Sequence, residues 1–374
     1  DTWTEALDTG LAMDIIYLDF SKAFDSVAHS GLLKKMEKYE INPKIKTWCT
    51  SFLSGRRQRV VLNGHKSHWG DVLSGVPQGS VIGPLLFVIF INDLPGITDS
   101  MIQMFADDVK ICRTLLNEED HSSLQQDLER LEGWANQWLM HFNPQKCQVL
   151  HIGRQNPEKE YQVCNEIIEA CTSVRDLGIQ VDQKLQFSEH ISLQASKANR
   201  ILGMIRRSFE HLDNDTLIWL YKALVRPILE YGHHVIYPSF KKDWKVIEGV
   251  QRRATKLLPG LKDLSYTQRL TRLRLPSMLY RFQRGDIIEV YKYLHGYYAV
   301  TSLPFTLDED HRTRGHCFKL KKTRCSSQIR QSFFPNRVFD LWNGLPHNVV
   351  EAPSLNSFKS RLDKFWAQRQ FLVE

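Results

Sequence analysis

The chain has 374 residues, 42% of them hydrophobic and 11% aromatic, a composition that supports a large core and excludes a disordered or fibrous polypeptide. Its net charge of +7 is unevenly spread, with 18 Lys and Arg against 26 Asp and Glu in residues 1–195 and 31 against 16 in residues 196–374. An acidic half joined to a basic half points to a polyanion surface beside a carboxylate-rich site, and seven scattered Cys without a CxxC pair argue against a disulfide framework and for a reducing compartment.

In chain order, residues 14–20 (DIIYLDF) form a short apolar run with β-branched residues and predict a buried strand. Residues 30–39 and 43–53 predict helices, the second closing before Gly55. Residues 58–62 and 65–73 alternate about Asn63-Gly64, a hairpin pattern. Residues 79–94 predict an apolar helix stopped by Pro95; the run 81–91 within it is too short to span a bilayer. Residues 101–105 and 109–112 flank Ala106-Asp107-Asp108 and predict a second hairpin. Residues 118–142 have helical period and end before Asn143-Pro144. Residues 147–152 and 176–181 read as strands. Beyond Ser188 only helices are predicted, over 189–209, 213–231, 241–258, 276–298, 333–342 and 355–371, with a basic, irregular stretch at 301–330. The pattern is an α+β domain to about residue 185 followed by a helical basic region.

Three aspartates stand where strands end or turn. Asp19 closes the first strand, and Asp107 and Asp108 occupy the tip of the second hairpin. Carboxylates at such places are rigidly held while their heads reach a cleft. Two Mg²⁺ ions need several hard oxygen ligands, with substrate phosphates supplying the rest, and such a pair stabilises both oxygens of an in-line displacement. A lone Asp-Asp pair is more often turn chemistry; the strand and hairpin together are the better signal.

Residues 19–27 (DFSKAFDSV), 74–87 (SGVPQGSVIGPLLF), 105–108 (FADD), 143–147 (NPQKC) and 177–181 (LGIQV) follow the order of reverse-transcriptase motifs A to E. With the flanks at 91–95 (INDLP), 225–232 (VRPILEYG), 248–253 (EGVQRR) and 342–346 (WNGLP), the chain resembles the non-LTR, LINE-type elements of the jockey/CR1 kind over nearly its whole length. That resemblance implies a right-hand polymerase palm, an antiparallel sheet with packed helices, over residues 1–185 with partial fingers. An all-α basic thumb over 186–300 and a C-terminal basic extension with short helices over 301–374 would follow.

The same resemblance implies roles for individual residues. Asp19 and Asp107 match the metal-binding carboxylates and Asp108 their weaker neighbour, holding two Mg²⁺ ions, or Mn²⁺ in their place. Phe20 falls in the substrate-binding part of motif A, and Phe24 matches the bulky residue under the sugar that rejects a 2′-OH by shape. Gly75, Pro77, Gln78 and Gly79 match the loop that approaches template and nucleotide, Lys146 the lysine that serves the leaving pyrophosphate, and Leu177 and Gly178 the primer grip. The partners implied are an RNA template, a DNA primer and dNTPs, in the nucleus or cytoplasm and without a membrane. Fingers motifs and an endonuclease are expected upstream of Asp1, in a longer polyprotein.

The basic half then reads as a thumb. Lys197, Arg200, Arg206 and Arg207 share one candidate helix, and Arg252, Arg253 and Lys256 another; both would track phosphates without reading sequence. His311, His316, Cys317 and Cys325 cluster loosely at spacings that fit no zinc knuckle. His233 and His234 follow a helix end and read as local caps or surface residues. Two other readings stay open: a catalytically inactive nucleic-acid-binding remnant of a mobile element, and an intron-maturase-like splicing cofactor.

Overall fold

Residues rich in Ile, Val and Leu pair into one five-stranded sheet within residues 10–174. The computed structural model describes residues 1–209, 213–258, 260–308 and 315–373. Its strands β1 (Ala12–Leu18), β2 (Met101–Phe105), β3 (Asp108–Leu115), β4 (Gln148–Ile152) and β5 (Glu169–Cys171) lie in the order β5-β4-β1-β3-β2. All neighbours are antiparallel except β4 and β5. β1 is central, which is why it reads as a continuous apolar run rather than an alternating one.

One face of the sheet carries Ile16, Leu18, Val109, Ile111 and Val149 into a core with Leu32, Met36, Phe87, Phe90, Leu128 and Trp134. These come from the helices His29–Lys38, Gly83–Ile91 and Glu118–Gln137. The last begins at a capping box: the Asn117 side chain accepts from the Asp120 N–H, and Asp120 accepts in return from the Asn117 N–H. Inside that helix the fully buried Asp127 accepts from the N–H groups of Asp99 and Ser100, so a helix residue anchors the backbone that enters β2.

The chain divides into two units, residues 10–174 and residues 1–9 with 175–374; the sequence pattern puts the break near 185. The second unit is helical, with Ser188–Ser208, Lys241–Lys256 and Met278–Leu294 its longest helices. No helix among the described residues is long and apolar enough to cross a membrane.

Several expected elements differ. The helix expected from 79 starts at Gly83, because Gly79 takes φ +80° and Ser80 caps the turn, donating to the Pro77 carbonyl and accepting from the Gly83 N–H. The single strand expected over 176–181 is a hairpin, Ser173–Asp176 with Ile179–Asp182. Leu177 and Gly178 turn it with φ +44° and +82°, the paired positive angles of a type I′ turn. The helix expected over 118–142 stops at Gln137, two residues before Leu139 reverses the chain at φ +58°. The helix expected over 213–231 is Asn214–Leu220 and Arg226–Glu230 with a π-helical turn, Tyr221–Val225, between them. Pro227 comes directly after the π-helical turn and, having no N–H, cannot continue the ladder there.

Candidate active site

Strand register decides which side chains meet. β1 pairs with β3 so that Tyr17 faces Lys110 and Leu18 faces Val109. Asp19 follows Leu18 and Asp108 precedes Val109, so both lie at the same end of the β1–β3 ladder, with Asp107 next in the turn. Opposed residues of antiparallel strands have Cα atoms roughly 4.5–5.5 Å apart and point to the same face. Leu18 and Val109 face the helices, while Asp108 is exposed and Asp19 partly so.

Ala106 and Asp107 close the β2–β3 hairpin, because Phe105 pairs with Asp108. Ala106 has φ +54°, the first-position angle of a II′ turn that glycine normally supplies. A Cβ in that conformation costs roughly 1–2 kcal/mol, and the ladders on both flanks hold it there. Strain of this kind concentrates at functional sites.

The other flank of Asp19 is bound to the segment after the helix Glu118–Gln137. The Asn143 N–H donates to the Asp19 carbonyl at 2.8 Å, and the Ser21 N–H to the His141 carbonyl at 2.8 Å. One turn of 3-10 helix, Pro144–Lys146, then brings the Lys146 ammonium 3.3 Å from Asp19 Oδ2. That oxygen is closed to solvent and accepts no hydrogen bond, so the contact is an ion pair only. With the lysine side chain 66% exposed, the pair contributes little to stability and is free to exchange. A buried carboxylate oxygen without a hydrogen bond among the described residues, at the same end of the sheet as Asp107 and Asp108, is the kind of oxygen donor that suits a hard divalent cation.

Residues 74–80 are stitched to the short helix Ala23–Ser26 that follows Asp19. The Gly75 N–H donates to the Val27 carbonyl and the Val76 N–H to the Phe24 carbonyl, each at 2.8 Å. The Ser74 hydroxyl donates to the Asp25 carbonyl at 2.9 Å, and the Gln78 amide to the Asp25 carboxylate at 3.0 Å. His29 Nε2 lies 2.8 Å from the Gly75 carbonyl. Gly75, at φ +87°, is obligatory: a Cβ there would sit 2.8 Å from the Asp25 Cα. Gly79 has open space around it, and Gln78 beside it is exposed.

Phe24 is half-buried, its ring stacked on Phe87 at 4.4 Å. Phe20 is only 4% exposed and stacks on Phe142 at 4.5 Å. Its ring belongs to the core, so the substrate contact expected of Phe20 is left to its main chain. Asp25 and His29 were passed over in the sequence; the signal was present, since Asp25 is the second aspartate of the same nine-residue motif.

In the second unit, the Tyr231 hydroxyl donates to the Leu177 carbonyl at 2.7 Å, and the Tyr231 ring lies against Gly178. Lys197, Arg200, Arg206, Arg207, Arg252, Arg253 and Lys256 are all exposed. Arg253 donates to Asn199 at 3.0 Å and Arg252 lies over the Tyr266 ring. Of the loose His/Cys group, His311 lies outside the described residues. His316 is buried against the Trp342 carbonyl, and Cys317 points to Glu351. His233 and His234 are not surface residues: both are largely buried, facing Asp286.

The family model described as reverse transcriptase (RNA-dependent DNA polymerase) matches residues 6–203. The RNA-directed DNA polymerase from mobile element jockey of Drosophila melanogaster is 29% identical over 278 residues, covering 70% of this chain and 30% of the relative. The probable RNA-directed DNA polymerase from transposon X-element of the same fly is 30% identical over 269 residues, covering 68% and 29%. The chain thus spans about 30% of the length of these curated relatives. Among solved structures, apo telomerase from Candida Tropicalis aligns with a TM-score of 0.41 at 9% identity, over 75% of this chain and 48% of that one.

Proposed function

This chain belongs to the reverse transcriptase (RNA-dependent DNA polymerase) family, and on that premise we propose that it is the polymerase part of a non-LTR mobile-element protein, extending a DNA 3′-OH along an RNA template. Residues 10–174 are the palm and the helices after residue 185 the basic thumb and extension. The observation that supports this most is the β1–β3 register, whose last pair, Leu18 with Val109, leaves Asp19 and the Asp107-Asp108 turn at the same end of the sheet.

Asp19, Asp107 and Asp108 would hold two Mg²⁺ ions, or Mn²⁺ in their place. When bound, these ions supply the charge that stabilises the attacking 3′-oxygen and the departing pyrophosphate. Lys146, already beside the site and weakly held, turns from Asp19 to the leaving group and neutralises it or gives it a proton. The main chain at Gly79 lets template and nucleotide approach closely. Gln78, tethered to Asp25, presents its remaining amide atoms to them.

Phe24 selects the sugar. Stacking on Phe87 restricts its ring, so it meets a 2′-OH as a fixed obstacle rather than a movable one. Phe24→Ala is expected to lower discrimination against ribonucleotides by roughly 10- to 100-fold. The ratio of kcat/KM for dNTP over rNTP measures this, and an unchanged ratio would remove Phe24 from selection.

The basic thumb predicts affinity without sequence preference. Binding of an RNA–DNA duplex should fall steeply with salt, and replacing Arg200 and Arg207 by Ala should reduce the log–log slope by about one unit each. A slope that is flat in the parent protein argues against a phosphate-tracking surface. The deciding experiment is primer extension on an RNA template with dNTPs and Mg²⁺. Duplex binding without any incorporation would favour a catalytically inactive nucleic-acid-binding protein.

A further inference from the structure

Away from the three aspartates, the helical unit holds a group of side chains that the polymerase reading does not use. Gly232 takes φ +68° after the helix Arg226–Glu230, and the turn that follows packs His233 and His234 together with ring centroids 3.8 Å apart. His233 Nε2 lies 3.8 Å from Oδ1 of Asp286, which is 1% exposed on the helix Met278–Leu294. The approach requires Gly285 next door, since a Cβ there would collide with His233 Nε2.

Hydrogen bonding leaves this group incomplete. His233 Nδ1 is engaged with the Glu230 carbonyl at 3.2 Å, but its Nε2 is closed to solvent and has no hydrogen-bond partner among the described residues. His234 Nε2 has only a long contact of 3.5 Å with the Gly285 carbonyl. Arg337 grips both oxygens of Asp286, at 2.8 and 2.9 Å, and donates to the carbonyls of His233 and His234 at 3.1 Å. The backbone of the turn is therefore clamped while one imidazole nitrogen is left without a partner. A buried, unpaired ring nitrogen is costly unless something fills it.

We propose that His233, His234 and Asp286 form a binding site for a borderline transition-metal cation of the Zn²⁺ class, bracing the turn at 232–235 against the helix Met278–Leu294. One ligand atom from each lies within 4.8 Å of the others. Bonds of about 2.0–2.2 Å to one ion already bridge the 3.8 Å between His233 and Asp286. The widest pair must close by roughly 1 Å, which rotation of an imidazole supplies. Burial, helped by the adjacent His234, depresses the pKa of His233 to about 4, and burial lowers that of His234 as well. Both rings are therefore neutral near pH 7 and offer lone pairs without a proton to displace. Arg337 keeps the carboxylate oriented from outside, and each of its oxygens retains a second lone pair. A cavity of about 190 Å³ adjoins His233 and Gly285, with Arg281, Arg284, Lys292 and Lys359 also on its wall. Two imidazoles and one carboxylate favour Zn²⁺ over Mg²⁺, whereas the all-oxygen set at Asp19, Asp107 and Asp108 favours the reverse. The two sites are therefore separable by choice of metal, and this proposal stands whether or not the chain polymerises DNA.

The test uses the full chain stripped of metal, with excess Mg²⁺ present to fill the aspartates. Co²⁺ is the probe. We expect one Co²⁺ per chain, with the visible absorption of a four- or five-coordinate nitrogen–oxygen site, displaced by Zn²⁺. His233→Gln with His234→Gln should weaken binding by at least about 100-fold, since outer-shell changes alone cost 10- to 100-fold. Zn²⁺ should raise the melting temperature of the parent and leave the double variant unmoved. Should that variant not fold, His234→Gln alone, which removes a side chain whose one hydrogen bond among the described residues is the 3.5 Å contact, is read the same way. Absence of the absorption in the parent, or equal Co²⁺ affinity in parent and variant, overturns the proposal.

Discussion

Asp107→Asn is expected to reduce primer extension by at least about 10³-fold, because losing one anionic ligand removes several kcal/mol of transition-state stabilisation and about 1.4 kcal/mol corresponds to a factor of ten. The substitution changes one oxygen to an amide and keeps the side-chain volume. Asp107 is half-buried in a two-residue turn, where Asn is as well accepted as Asp, so the hairpin should survive. Template–primer affinity should stay within about twofold, since duplex binding rests on phosphate contacts made by basic side chains. Asp19→Asn should do comparable damage, and should also release Lys146 from its ion pair. Asp108→Asn should do less, as Asp108 is the more exposed of the turn pair. Single-turnover extension separates these effects from product release. Retention of parental activity by the Asp107 variant would remove that carboxylate from the chemistry and, with it, the reading of the whole hairpin.

The second large effect is expected at Asp14, on β1 five residues before Asp19. Asp14 is fully buried, yet it accepts from His151 Nδ1 at 2.7 Å, the Tyr161 hydroxyl at 2.6 Å and the Asn156 amide at 2.7 Å. Burial alone would raise its pKa, but the hydrogen bonds from His151, Tyr161 and Asn156 together outweigh burial and hold the carboxyl below its ordinary value. Asp14→Ala leaves the His151 and Tyr161 donors buried without that acceptor, while the Asn156 amide keeps the Met13 and Ile152 carbonyls, and the expected cost is about 3–5 kcal/mol. That is a large part of the roughly 5–15 kcal/mol that keeps a domain folded. Urea unfolding measures it; a loss under about 1 kcal/mol would mean that the network relaxes around the gap. The lowered pKa also sets a pH dependence. A carboxyl whose pKa falls on folding contributes stability that is present above its unfolded value and lost as pH drops through the folded one. The parent should therefore lose stability in acid below about pH 4, its ordinary range, and the Asp14→Ala protein should lose correspondingly less.

Much of the unit 10–174 is legible in the chain itself. The apolar run before Asp19 and the two short runs around Asp107-Asp108 are local patterns, and so is the apolar helix, although it ends at Ile91 and Pro95 lies in the 3-10 turn Leu94–Ile97 that follows. β2 and the helix Pro43–Leu53 have the bounds that the pattern predicts. Local patterns mislead where the backbone reverses without its usual residues. Leu177 and Gly178 turn a hairpin that contains no Asn-Gly or Asp-Gly pair, and Leu139 ends a helix by adopting a positive φ that a leucine rarely takes. Neither signal is present in hydrophobic period, so both segments read as continuations of their neighbours.

By itself, then, the sequence determined the family, the order of the motifs and the identity of the three candidate carboxylates, because each of these depends on residue types at short, ordered spacings. Only the tertiary structure decided which distant groups meet: Asp14 with His151, Asn156 and Tyr161, Asp25 with Gln78, Lys146 with Asp19, and Asp286 with Arg337 and the histidine pair. Those meetings join residues 50 or more apart in most cases, and strand register and helix packing, which hydrophobic burial selects for the chain as a whole, set them without leaving a trace in any local pattern.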